Sequence, residues 1–247
     1  MIFCIAALFI FAIGLVVGRE VLTLAEASYN LHSQFVETFF IFGCFVWFAG
    51  IPLLFFIAAW GIEGVAKEKD DGTLLILASK PIRRWEIILG KFLGLFFACL
   101  VLELVFLSAS PLLLYFILKA DVSVLQKILN LLPLMFFYGA IVSFGFSLFS
   151  VSLSTLAKNK IAAIIFISFL ILLTFFGFPI IKHFTLSMYE KWGLHYIDLN
   201  YHLGNIYDSL ISKERMPPYV QTFLGHATGI YDINSYLFDE ELGTLKK

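Results

Sequence analysis

Five long apolar runs constrain this chain more than anything else in it: positions 2–18, 39–61, 92–118, 128–154 and 161–181. About 20 helical residues cover the ~30 Å hydrocarbon layer of a bilayer. Lipid offers no partner to an unpaired backbone group, so each run is expected to be a helix. Of the 247 residues, 60% are hydrophobic and 14% charged, and the mean hydropathy is +0.92, whereas soluble domains are about half apolar. The expected fold is therefore an all-α integral membrane protein with about five transmembrane helices. The first run lacks the positively charged leader and the small-residue cleavage pattern of a signal peptide, and reads as a retained span.

Charge fixes the expected orientation. Lys67, Lys69, Lys80, Arg83, Arg84 and Lys91 lie between the second and third runs, and Lys158 and Lys160 between the fourth and fifth. Short cytoplasmic loops carry the excess of lysine and arginine, so loop 62–91 and the start of the chain are expected in the cytoplasm. A transmembrane domain, 1–181, is then followed by an external helical tail, 182–247, of a multi-pass protein in the plasma membrane. A formal net charge of -1 leaves no basic face for nucleic acid. Cys4, Cys44 and Cys99 fall inside spans and read as small packing residues, not as a disulfide framework.

The segment 67–91, KEKDDGTLLILASKPIRRWEIILGK, is a charged, proline-punctuated island between hydrocarbon runs. Asp70 and Asp71 before Gly72 and Thr73 offer a cap and negative charge to a helix start. Leu74, Leu75, Ile76, Leu77 and Ala78 follow, and Pro81 suits the first turn of a second helix, expected to run through Trp85 into the third span. The short aliphatic element is either a protein docking site or an interfacial helix lying in the leaflet.

The same residues resemble the cytoplasmic signature of type-2 ATP-binding-cassette transporter permeases. The match rests on Gly72, Thr73, Leu74, Ser79, Pro81, Arg83, Arg84, Gly90 and Lys91, about 25 residues at motif level, placed between spans two and three. The resemblance implies a coupling helix, Gly72 to Ser79, seated in a separate ATPase subunit, with Asp71, Gly72, Thr73, Leu74, Leu75, Leu77, Ser79, Pro81, Arg83 and Arg84 as coupling residues. It also implies a homo- or heterodimer of permeases, with ATP and Mg held by the partner ATPase and no cofactor in this chain. Family members usually have a charged helix before the first span and a sixth span, both of which are expected to be lacking here. No phosphate-binding loop is present: Gly90 and Lys91 are followed by Phe92, not Ser or Thr, and the chain is not expected to be an enzyme.

Within the spans, Glu103 stands near the middle of the third, where an ionised acid costs ~2.5 to 3.5 kcal/mol on insertion scales. It reads either as a proton- or substrate-sensitive group on an interior path or as a neutral carboxyl hydrogen-bonded to Tyr138 or a serine. Gly139, Ser143 and Ser147, continued by Ser150 and Ser154, and the pair Gly14 and Gly18 read as faces for close helix contact; serine hydroxyls can also satisfy themselves on their own helix. Pro52 is placed to kink the second span.

In the tail, Trp192, Tyr196, Leu199, Leu203, Ile206 and Leu210 alternate by four and three, predicting an amphipathic helix between Tyr189 and Lys213, limited by Pro217 and Pro218. His195, Asp198 and His202 share its polar face, a weak candidate metal set against the ordinary solvated side of such a helix. The leading expectation is the permease of an ATP-driven exporter; the alternative is a non-transporting membrane scaffold or assembly subunit.

Overall fold

The computed structural model describes residues 2–24, 29–64, 83–156, 159–184, 189, 191–211, 218–230, 238–239 and 244–245. Its helices are α1 (Ile2–Leu24), α2 (Tyr29–Gly43), α3 (Ile51–Ile62), α4 (Arg84–Leu118), α5 (Val122–Leu156), α6 (Lys160–Leu172), α7 (Phe178–Phe184), α8 (Leu199–Ile211) and α9 (Pro218–Thr228). Two residues on each side, Phe238–Asp239 and Thr244–Leu245, form a small antiparallel ladder. Four stretches are long and apolar enough to cross a membrane: His32–Ile62, Trp85–Leu118, Val122–Leu156 and Lys160–Phe184. Each outruns its hydropathy-defined bounds because helices continue into the polar boundary until a cap or turn stops them. Helix α1 lies along α4 and meets the second span through Phe11, which packs against Phe39 and Phe48.

The second span is interrupted. After α2 comes a π-helical turn, Cys44–Phe48, and then a break at Ala49 and Gly50, with Pro52 in the first turn of α3. Proline suits that place because its missing N–H is not needed there. Gly50 is required by space: a Cβ there would stand 2.2 Å from the Val46 carbonyl oxygen. Pro111 inside α4 deprives the Leu107 carbonyl of its helical donor, and the Ser110 hydroxyl donates to that same oxygen at 3.1 Å. A second π turn, Leu173–Gly177, joins α6 to α7, directly ahead of Pro179.

Helix α5 is the hub, packed against α3 and α4 most extensively and also against α2, α6 and α8. The opposite faces of α4 and α6 expose Phe97, Val101, Phe116, Ile165 and Phe169, the apolar surface that a bilayer solvates. The small-residue positions sit at contacts within the chain. Gly14 and Gly18 receive the rings of Phe39 and Phe35, and Gly61 lies against Ser150. Ser150 donates to the Ile57 carbonyl at 3.1 Å and Ser154 to that of Ile62 at 2.8 Å. These hydroxyls serve carbonyls of the neighbouring helix, whereas the sequence reading let them satisfy their own.

The tail helix and the lever need correction. The helix expected from Tyr189 begins only at Leu199: Gly193 turns with φ +60, a 3-10 turn follows at Leu194–Tyr196, and Asp198 Oδ1 accepts from the Asn200 N–H as a cap. Trp192 and Tyr196, expected on one stripe along the outer membrane boundary or over the ends of the spans, are 66% and 76% exposed, whereas Leu203, Tyr207 and Ile211 are buried. In the tail, α8 packs on α5 and α9 on α2. The third-span helix starts at Arg84, not at Pro81; Arg83 is extended, and its N–H donates to the Glu86 carboxylate at 3.3 Å.

Gly50→Ala should lower stability by about 1–3 kcal/mol, the usual cost of forcing atoms into a packed interior. The midpoint of thermal unfolding of the detergent-solubilised chain measures it.

Candidate functional site

At mid-height of the bundle, α4 and α5 meet around Glu103. The residue is 1% exposed, and its carboxyl fills the space that Gly139 leaves open. A Cβ at position 139 would lie 1.3 Å from Glu103 Oε1 and 2.0 Å from its Cδ. Tyr138, Cys44 and Cys99 lie within the reach of its charge, and Ser147 lies beside Cys99. Neither carboxyl oxygen has a hydrogen-bond partner among the described residues, and the same holds for Ser143 Oγ. The expected bond from Glu103 to Tyr138 or a serine is therefore absent here: the carboxyl is aimed at a glycine, which has no side chain to answer it.

Above this notch sits α8. Tyr207, buried completely, donates to the Ile41 carbonyl and contacts Met135 Sδ at 3.1 Å. Its ring meets Tyr138 edge-on at 4.7 Å and Phe45 at 5.2 Å. Phe45 in turn approaches Phe175 of the second π turn at 6.3 Å. The tail helix thus closes the space between the second, fourth and fifth spans on the side of the bundle opposite the island.

A buried ion pair holds that cap. Lys182, 1% exposed, meets Asp198, 0% exposed, at 2.5 Å. Charges taken out of water need further hydrogen bonds to be tolerated, and the chain supplies them. Tyr189 donates its hydroxyl to Asp198 Oδ2 at 2.8 Å, and Lys182 donates to the Thr228 carbonyl at 2.6 Å. Gly229, at φ +72, lets the chain after α9 pass close to the Lys182 stem. Burial first, and then the hydrogen bond to Asp198, push the Tyr189 phenol above its ordinary range, so it remains a donor at neutral pH. The clasp joins the end of the fifth span to α8 and α9.

This placement settles the geometry of the histidine set. Asp198 is committed to Lys182 and to capping α8. His195 stacks on Tyr196 at 4.1 Å, and His202 Nε2 meets the Tyr196 carbonyl at 3.1 Å. Among the described residues no three His, Cys, Asp or Glu side chains gather as a metal site. Sequence periodicity missed the clasp because an ion pair sixteen positions apart leaves no local pattern. Gly193 within the expected helix was the signal that the helix would break.

At the island end, both flanks of the polar segment are pinned. Lys91 donates to the Gly64 carbonyl, and Lys160 approaches Glu63 at 3.9 Å. Gly90 and Lys91 lie inside α4. Asp71, Gly72, Thr73, Leu74, Leu75, Leu77, Ser79 and Pro81 lie outside the described residues, as does the Arg84 side chain.

A bundle of membrane-length helices around a buried acid, with a polar island at one end, defines a multi-pass membrane protein. A family model described as ABC-2 family transporter protein matches residues 7–211, and the chain belongs to that family. It is a membrane permease of an ABC transporter, a transport component and not a catalytic one, and the family implies a partnering ATPase subunit. Searches of curated proteins and of solved structures return no match.

Lys182→Met leaves Asp198 buried without its partner and should cost about 3–5 kcal/mol of stability. Lys182→Met combined with Asp198→Asn should regain most of that loss, read from thermal unfolding midpoints.

Proposed function

We propose that this chain is the permease of an exporter driven by ATP that a separate ATPase subunit hydrolyses with Mg. The observation that carries the reading is the family match over residues 7–211, joined to the sequence DDGTLLILASKPIRRW, whose flanks are pinned to α3 and α4. Closure of a dimeric ATPase would displace a coupling helix at Gly72 to Ser79. Helix α4 would carry the displacement inward: it has 35 residues, about 52 Å at 1.5 Å per residue. Glu103 stands near its midpoint. Lys91, bonded to Gly64, couples the start of that lever to the end of the second span, so the two spans move together at the island end.

In this arrangement two permeases, alike or different, pair in the plasma membrane, with the start of the chain in the cytoplasm and the α8–α9 cap outside. The basic residues of the island and of the loop before α6 support that orientation. The cap closing the opposite mouth supports a resting state shut toward the outside.

Leu74→Asp with Leu77→Asp should abolish recruitment and stimulation of the ATPase while leaving membrane insertion intact. Copurification from membranes and ATPase turnover of the reconstituted complex read the result. Unchanged recruitment and stimulation would remove the coupling assignment. Retained assembly without any movement of substrate in the unmodified complex would favour a scaffold.

A further inference from the structure

The notch between α4 and α5 holds chemistry that coupling alone does not use. Glu103 Oε1, Glu103 Oε2 and Ser143 Oγ are buried with no hydrogen-bond partner among the described residues. A carboxylate only accepts hydrogen bonds, and a buried one without a countercharge is strongly disfavoured. None of the described ion pairs reaches Glu103: Lys182 is held by Asp198, Lys127 by Glu37 and Lys160 by Glu63. The titratable groups facing the carboxyl are Cys99 on its own helix, Cys44 from the second span and Tyr138 from α5. None of them carries positive charge.

Beside the carboxyl, Tyr138 begins an aromatic layer. Tyr138 stacks with Phe45 at 6.0 Å, and Tyr207 closes over both. Ring faces attract cations. Among the described residues the site therefore has lone pairs and π faces, and lacks side-chain N–H donors and positive charge. A primary ammonium supplies three donors and one unit of charge on a single nitrogen.

We infer that Glu103, with Ser143 one turn along α5 from the Gly139 notch, receives a primary ammonium group of the transported molecule. This rests on the permease reading. Gly139 sets the position of the carboxyl by leaving it room, and Tyr207 shuts the site on the cap side. The ligand's nitrogen sits between the carboxylate and the serine hydroxyl, with its carbon chain against the aromatic layer.

The test uses the full chain purified in detergent, without the ATPase, so that failure of coupling and failure of the ammonium site are separately visible. Thermal unfolding is followed with n-butylamine, which is protonated at neutral pH, and in parallel with n-butanol and butyltrimethylammonium. Binding to the folded state raises the midpoint as ligand is added. The expected result is a saturable rise with n-butylamine, a smaller one with the quaternary ion, which has no N–H donors, and none with butanol. Glu103→Gln should weaken the n-butylamine response by about tenfold to a hundredfold in concentration, the range for one charge-assisted hydrogen bond, and Glu103→Asp should keep part of it. No rise with n-butylamine in the unmodified chain, an equal rise in Glu103→Gln, or an equal rise with butanol would each overturn the inference. Where n-butylamine gives its Glu103-dependent rise, repeating the titration with phosphatidylethanolamine in the micelle separates the natural carriers: a further Glu103-dependent rise points to a lipid headgroup, and none to a soluble amine.

Discussion

The fit of a carboxyl into the place of a missing side chain, Glu103 against Gly139, organises the centre of this protein. Helices in lipid gain little from hydrophobicity when they associate, because the tails around them are as apolar as leucine; close approach of small residues does the work. Helix α5 carries those residues along one face, and α3 and α4 press against it. Without that contact Glu103 would face lipid, and the carbonyls of Ile57 and Ile62 would lose the Ser150 and Ser154 hydroxyls. The polar interior thus depends on the absence of bulk at a few positions of one helix.

The second span shows how irregular backbone survives at membrane depth. Helix breaks expose carbonyls, and these are tolerated only where protein surrounds them. Here Tyr207 reaches the Ile41 carbonyl from α8, while serines of α5 reach the carbonyls beyond the Gly50 break. The cap does more than cover the mouth of the bundle: it completes the hydrogen bonding of a broken span. Its own attachment runs through Lys182 and Asp198, so the cap, the clasp and the broken span form one connected assembly.

Much of the architecture was legible in the sequence, because hydrocarbon thickness sets the length of an apolar run and leaves little choice of conformation. Four of the five expected runs lie wholly within crossing stretches of the structure, and Gly14, Gly18 and Gly139 lie at close approaches between helices. The tail was legible in part. The four-and-three spacing from Leu199 to Leu210 is helical, but Gly193 and the Asp198 cap divide it from Trp192 and Tyr196. The role of Asp198 could not be seen because a polar face gives the same pattern whether it meets water or a buried lysine. Pro81 looked like a helix start, yet Arg83 is extended and Glu86 caps the helix that follows.

The two π turns, Cys44–Phe48 and Leu173–Gly177, approach each other through Phe45 and Phe175 across the middle of the bundle. Each stores one surplus residue relative to the α-helical ladder that precedes it. Sliding such a turn by a single position rotates the side chains it passes by about 100°, one α-helical step, while both ends of the span stay where they are. Two opposed reservoirs of this kind let the central layer re-aim its aromatic rings without lengthening any helix or parting the contacts at the membrane surfaces.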